Sequence, residues 1–597
     1  MRRGLVLIIV LVAVVFLSLG AYTFTDLMVA HRQSSDLAGK QLQARMCVDS
    51  GVDAVRLLLR QDPQTVTDSG GFFDNPTKFK ALNVIYAETP EDRGNVTIIA
   101  PNIDDEGGLV GVRYGLEDES TRLNLNTLVK VDTMQPGAGR QMLMALPQMT
   151  EDVADAILDW LDADSEAREQ GAEADHYSGL NPPYAPKNGP LDTVEELLLV
   201  RGVTPQMLFG LDANRNGRLD PAESTTDANH PANSDLALAR GWSAFLTLHS
   251  LEKNVTPDGK PRINLNMANM DLLYQQLAEV FPPEWATFIV VYRQNGPSGG
   301  TAASLLGAAT AAAAGTGGGN NTGAGANANP GGGNQTGGNP GSANPGSANP
   351  GGTNQAGNTQ TGGNQAATGG NRGGAGATSG TGATGSGGAQ PNPNAKNEAR
   401  APDLTKPGRF PIVQVLDLIG AEATATMPGD SASTVIASPF PNELIAMGVY
   451  LPTLLDHVTV NKSTTIPGRI NINQASATVI RGIPNMTPEL ADLIISRRRR
   501  SGEDDDGSRR HETWLLTQGV CELDQMRQLA PFVTCRGSVY RAQVVGYFEN
   551  GSAASRAEVI WETISPMPRV LFWRDLSHLG RGYTLETLGA EYTEISN

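Results

Sequence analysis

The stretch Asp212-Ala-Asn-Arg-Asn-Gly-Arg-Leu-Asp-Pro-Ala-Glu223 sets oxygen-bearing side chains at positions 1, 3, 5, 9 and 12 of a loop. Gly217 stands at position 6, where such a loop turns most sharply, and Leu219 at the apolar position 8. Calcium takes about six to eight hard oxygens. This spacing would wrap Asp212, Asn214, Asn216, the Arg218 carbonyl, Asp220 and a bidentate Glu223 around one ion. Two neutral asparagines lower the expected affinity, and no paired second loop is visible. A solvated Asx-rich turn would use the same residues, but the matching oxygen positions and the glycine favour a structural calcium site. Asp159, Asp162, Asp164 and Glu166 form a second acidic group, for which a solvated helix end is the simpler reading.

Other reactive constellations are missing from the sequence. It has no glycine-rich phosphate loop, no histidine pair at metal spacing and no Gly-x-Ser-x-Gly elbow, and its seven histidines are scattered. The expectation is a protein without enzymatic activity. A formal net charge of −18 and a pI near 4.9 argue against a nucleic-acid backbone as principal partner. Cys47 lies on an amphipathic stretch, while Cys521 and Cys535 flank a compact segment. A bridge between the latter two would fit an oxidising periplasm; two buried free thiols are the alternative.

These residues must be carried by elements that begin at the N-terminus. Arg2 and Arg3 precede Gly4, and no charge follows until Asp26, so Leu5–Thr25 is long enough to cross a bilayer as a helix. A plain anchor or a cleaved signal peptide would also explain that run. The helical pattern continues, however, to about Arg60, with Val48, Val52, Val55 and Leu59 on one face. A helix from Leu5 to Leu59 would be roughly 80 Å long. Residues 63–121 read as a small sheet region, with strands at Asn95–Ala100 and Leu109–Gly115.

The pattern Arg-(Leu/Ile)-Asn-(Leu/Ile)-Asn occurs at 122–126, 262–266 and 469–473. Each copy is followed by a helical segment and a proline-marked turn (Pro147-Gln-Met149, Pro282-Pro-Glu284, Pro484-Asn-Met486), then by another helix. Internal repetition of this kind outranks any local assignment. It predicts three helix-hairpin-helix-like, SAM-like modules: 122–240, 241–293 with 403–440, and 441–536. Residues 537–597 should add strands. The tract 294–402, almost wholly Gly, Asn, Ala, Thr, Ser and Pro, cannot bury enough apolar surface to offset chain entropy and is expected to be disordered. DNA-binding hairpins present Gly-hydrophobic-Gly to a phosphate. Here Pro removes an N–H and Met adds a Cβ, so scaffold or protein-binding surface is expected and nucleic acid is not.

Together these features resemble the K-type minor pseudopilin of the type II secretion system. The stretches carrying the resemblance are Arg122–Asn126, Ile157-Leu-Asp-Trp-Leu-Asp162, Gly171-Ala-Glu173, Tyr177, Pro183-Tyr184 and Glu195-Glu-Leu197. The resemblance implies an α+β protein with a long N-terminal pilin-like helix and a small antiparallel sheet. It also implies a leader, residues 1–4, cut by prepilin peptidase between Gly4 and Leu5, leaving 5–62 as the helix. The protein would sit once in the inner membrane, N-terminus cytoplasmic and body periplasmic. It would bind calcium and join other minor pseudopilins at the tip of a pseudopilus. Pilin-like subunits generally carry a glutamate five residues after the cut; Ile9 stands there, as in K-type subunits, which suits a subunit that sits first. The alternatives are a competence-like DNA-capturing membrane protein and an anchored calcium-binding adhesin.

Overall fold

A computed structural model describes residues 2–105, 108–218, 220, 223, 239–298, 401–498 and 507–590. Most of the glycine-rich tract, the middle of the charged loop after Arg497, and Leu219 lie outside the described residues.

Helix α1 runs unbroken over Arg2–Leu59, 58 residues. Its most apolar 18-residue window has a mean hydropathy of 2.6, enough in length and composition to cross a membrane, and from Leu7 to Phe24 its large apolar side chains are exposed. Farther along the helix becomes one-sided. Ala44, Cys47, Val48, Val52, Val55 and Leu59 are buried, so the valine stripe read from the sequence is the face that packs.

That face meets a seven-stranded antiparallel sheet. Its strands are β1 (Leu82–Ile85), β2 (Gly94–Ile103), β3 (Leu109–Tyr114), β4 (Glu117–Asp118), β5 (Val539–Phe548), β6 (Ala554–Glu562) and β7 (Arg569–Asp575). The order is β1-β2-β5-β6-β7, with β3 also on β2 and β4 also on β5. The C-terminal strands thus return to the N-terminal ones, with Gly546 opposite Val96. Under α1 lie Val96, Ile98, Val544, Val559 and Trp561. The approach is close because two glycines permit it. A Cβ on Gly546 would overlap the Ala44 carbonyl, and one on Gly51 would press into Val96 and Val544.

Between the two halves of the sheet come the three modules, each closed in the same way. The Leu/Ile-Asn of each repeat forms a two-residue parallel ladder with the end of its own module. Leu123 and Asn124 pair with Leu246 and Thr247, Ile263 and Asn264 with Val458 and Thr459, and Ile470 and Asn471 with Val533 and Thr534. The modules therefore close at 247, 459 and 534, and the boundaries at 240 and 440 fall short of where the chain pairs. Pairing across as many as 195 or so positions leaves no local sequence signal.

The repeat asparagines explain the repeat. The first one folds back on itself: Asn124, Asn264 and Asn471 each accept, through Oδ1, the amide two residues on. The second reaches backbone 36 to 146 positions farther along its module. Asn126 Nδ2 donates to the Leu191 carbonyl and its Oδ1 accepts the Leu191 amide. Asn266 holds both backbone groups of Ile412 in the same way, and Asn473 donates to the Arg509 carbonyl.

In module one, α2 (Leu128–Met134), α3 (Ala138–Met144) and α4 (Glu151–Leu161) follow the repeat. In module two the helices are α5 (Met270–Val280), α6 (Pro283–Asn295) and α7 (Leu444–His457), and in module three α8 (Ala477–Arg481) and α9 (Pro488–Arg497). Modules one and three touch so closely that a Cβ on Gly482 of module three would lie 2.8 Å from Ala145 Cβ.

Candidate functional site

The twelve-residue loop leaves module one through a pinched neck. Gly210 and Gly241 run back to back, each so near the other's backbone that neither could carry a Cβ, and the Leu211 amide donates to the Ala239 carbonyl at 2.8 Å. Both glycines have positive φ, 65° and 68°, which an L side chain resists.

Inside the neck the loop curls on its own side chains. Asp212 accepts the Asn216 amide (3.0 Å) on Oδ1 and the Gly217 amide (2.8 Å) on Oδ2. Asn214 Nδ2 and Asn216 Nδ2 both donate to Asp220 Oδ2 at 2.8 Å. Glu223 spans the loop, accepting the Asn214 amide on Oε1 and the Asp220 amide on Oε2, both at 3.0 Å. The Arg218 amide donates to Asn216 Oδ1 at 2.6 Å. Asp212, Asn214, Asn216, Asp220 and Glu223 thus sit within one hydrogen-bonded loop, and Gly217, φ 71°, makes its turn. Burial pushes the Asp212 carboxyl up to about 6, against the pull of the Gly217 amide and with the Glu223 charge adding. A half-buried carboxyl beside a second carboxylate, among hard oxygens, is donor chemistry that fits a divalent cation.

A second acidic group was only partly legible. Of Asp159, Asp162, Asp164 and Glu166, two come together, Asp162 and Asp164, and they are joined by Glu173 from farther along; one oxygen of each lies within 4.8 Å of the others. Asp159 pairs with Arg168, 2.8 Å away, and accepts the Ala172 amide; the same guanidinium also pairs with Asp162. Glu173 is buried, and among the described residues neither of its oxygens has a hydrogen-bond partner. Burial and the charges of Asp159 and Asp162 raise its pKa. The only sequence signal for Glu173 was its place in Gly171-Ala-Glu173.

The proline-marked turns are set by backbone geometry and packing. Gln148 and Asn485, each preceded by proline, have φ of 56° and 63°, and the methionines after them, Met149 and Met486, are buried in the core. Trp242 Nε1 donates to the Pro147 carbonyl at 2.8 Å, and Asn485 Nδ2 to Gln135 Oε1 at 3.1 Å. These turns are spent on packing and on holding module three to module one.

Gly4 and Leu5 fall within α1. Cys521 and Cys535 are free thiols, both buried, so no bridge links them here; Cys521 Sγ lies 3.9 Å from Met526 Sδ, and burial raises both thiol pKa values.

Residues 121–212 match the family model described as type II secretion system (T2SS), protein K. A type II secretion system protein K from Pseudomonas aeruginosa is 29% identical over 222 residues, covering 33% of this chain and 63% of that protein. The chain therefore matches under two thirds of that relative's length. Among solved structures, one chain in the GspK-GspI-GspJ complex of the enterotoxigenic Escherichia coli type 2 secretion system is similar at 11% identity. The match covers 91% of this chain and 99% of that one, with a TM-score of 0.33.

Proposed function

We propose that the chain, whose residues 121–212 match the type II secretion system protein K family model, is a minor pseudopilin, a non-enzymatic component at the tip of a pseudopilus that supports protein export. The match at 121–212 carries this reading, and α1 supports it. One half of that helix is apolar and uncovered, and the other is laid on a sheet, with Leu42, Met46 and Leu57 left exposed on its free side. Those residues suit packing against the helices of other minor pseudopilins. The helix would cross the inner membrane once, with Arg2 and Arg3 on the cytoplasmic side and the sheet and modules in the periplasm. Prepilin peptidase would cut between Gly4 and Leu5.

Calcium belongs to the same proposal. Asp212, Asn214, Asn216, the Arg218 carbonyl, Asp220 and Glu223 would hold it as a structural ion, neutralising carboxylates that otherwise repel each other. Nucleic acid is not among the proposed partners.

Mass spectrometry of the mature N-terminus tests the assignment. A chain beginning at Leu5 is expected; an intact leader, or a cut near Gly20, would exclude a pseudopilin. Calorimetry on the full chain in detergent should show calcium binding that Asp212→Ala and Glu223→Ala abolish.

A further inference from the structure

Residues 576–590, the last described, contain little regular structure beyond the turns Ser577–Leu579 and Leu585–Leu588. They are nevertheless docked. Tyr583 and Leu588 are buried against Ile99, Val545 and Tyr547, a separate apolar cluster from the one beneath α1. The Leu588 carbonyl accepts the hydroxyls of Thr97 (2.8 Å) and Tyr547 (2.7 Å), and the Thr587 carbonyl accepts that of Tyr114 (2.7 Å).

The same segment also meets the twelve-residue loop. Three consecutive loop carbonyls each accept a bond from a different distant element. Arg556 on β6 donates to the Asn214 carbonyl at 2.5 Å, Gln543 on β5 to the Arg215 carbonyl at 2.6 Å, and the Tyr583 hydroxyl to the Asn216 carbonyl at 2.8 Å. Asn216 Nδ2 returns a bond to the Gly582 carbonyl at 2.6 Å. Arg556 is fully buried, and Gly582 passes so close over its guanidinium that no Cβ would fit. The Asp212, Asn214, Asp220 and Glu223 side chains thus bond within the loop, while its carbonyls and the Asn216 side-chain amide reach the sheet and the C-terminal segment.

We propose that the loop is the clasp of the C-terminal segment: cation occupancy at 212–223 and docking of residues 576–590 form one coupled equilibrium. Arg556, Gln543 and Tyr583 are its positioning residues. This rests on the cation reading above and adds where the binding free energy goes. A cation held by the loop's side chains fixes the backbone between Asp212 and Asp220, and in that curl the three carbonyls line up for their donors. The donors in turn hold the loop ordered, so the ion meets a site whose ordering entropy is already spent. Coupling of this kind is reciprocal: what loosens the segment weakens the ion, and the reverse.

The test uses the full chain in detergent micelles with calcium chloride. It reads calorimetric affinity together with hydrogen exchange of the amides of 583–590, in the wild type, Asp212→Asn and Tyr583→Phe. Tyr583→Phe removes one hydroxyl and keeps the ring, so folding is preserved. Calcium should slow exchange at 583–590 in the wild type and not in Asp212→Asn. Tyr583→Phe should weaken calcium by about fivefold, the factor matching one ordinary hydrogen bond. If calcium binds, Asp212→Asn abolishes it, and yet exchange at 583–590 is unchanged and Tyr583→Phe binds as the wild type does, the clasp is overturned and the cation reading stands. If the wild type shows no calcium binding, both fall.

Discussion

Asn266 holds the amide and the carbonyl of Ile412 with the two ends of one side-chain amide, across 146 positions of sequence. Ile412 is buried, so removing its partner strands two backbone groups that water reaches poorly. Asn266→Ala should cost about 1–3 kcal/mol in chemical denaturation, and Asn266→Asp should recover only part, since a carboxylate cannot donate. Glu173 presents the opposite case, a buried carboxylate facing Asp162 and Asp164 with neither oxygen hydrogen-bonded among the described residues. Glu173→Gln should raise the melting temperature measured in chelator by roughly 1–2 °C and erase any increment that calcium gives the wild type at that group. At this scale the sequence was informative wherever spacing is local: the oxygen positions from Asp212 to Glu223 are found in one hydrogen-bonded loop. It was silent on Arg556, Gln543 and Tyr583, because they reach that loop across at least 328 positions and no local pattern marks an arginine that will bond a distant carbonyl.

The seating of α1 on the sheet depends on the absence of a side chain at Gly546, whose Cβ would overlap the Ala44 carbonyl. Gly546→Ala should therefore lift the helix and cost about 1–3 kcal/mol, seen as a lowered denaturation midpoint with increased reactivity of the buried Cys47 thiol. Modules two and three meet through Asp456 at the end of α7, which accepts His511 Nε2 at 2.8 Å and is paired with Arg510. Burial alone would raise the Asp456 pKa, but the His511 bond and charge, with Arg510, hold it below the ordinary aspartate value. A carboxyl that protonates less readily folded than unfolded stabilises fully above its unfolded pKa and loses that contribution as pH falls through the folded one. The contact should persist from neutral pH to about pH 4 and weaken below it. Exchange at the amides of 511–517 should accelerate below that point in the wild type and already be fast at pH 7 in Asp456→Asn. Elements were legible where hydrophobic period is strong, as in the Val48, Val52, Val55 and Leu59 stripe. The closing ladders, two residues each, are too short for any period to announce.

For the molecule as a whole, three rings of chain hang from short links that pair with one another, Leu251–Lys253 against Thr465–Pro467. Module two is the one interrupted by the glycine-rich tract. On the near side of that tract, Gln294 Nε2 donates to the carbonyls of Asp403 and Lys406 on the far side, at 2.8 and 3.1 Å, so the two banks are already joined. Replacing residues 299–400 by a short Gly/Ser linker should leave the melting temperature within about 2 °C, because lengthening or shortening a closed loop changes its entropy only logarithmically.

The second asparagine of each repeat bonds backbone farther along its own ring, at Leu191, Ile412 and Arg509, and so uncouples what a ring must do from how long it is. Each ring's two ends also lie side by side, so a copy can be spliced into the chain without pulling its flanks apart. A gene encoding such a ring can be duplicated whole and its copies can drift independently in size. By the same logic, the far side of each asparagine is a port at which a reporter domain could be fitted without refitting the rest of the molecule.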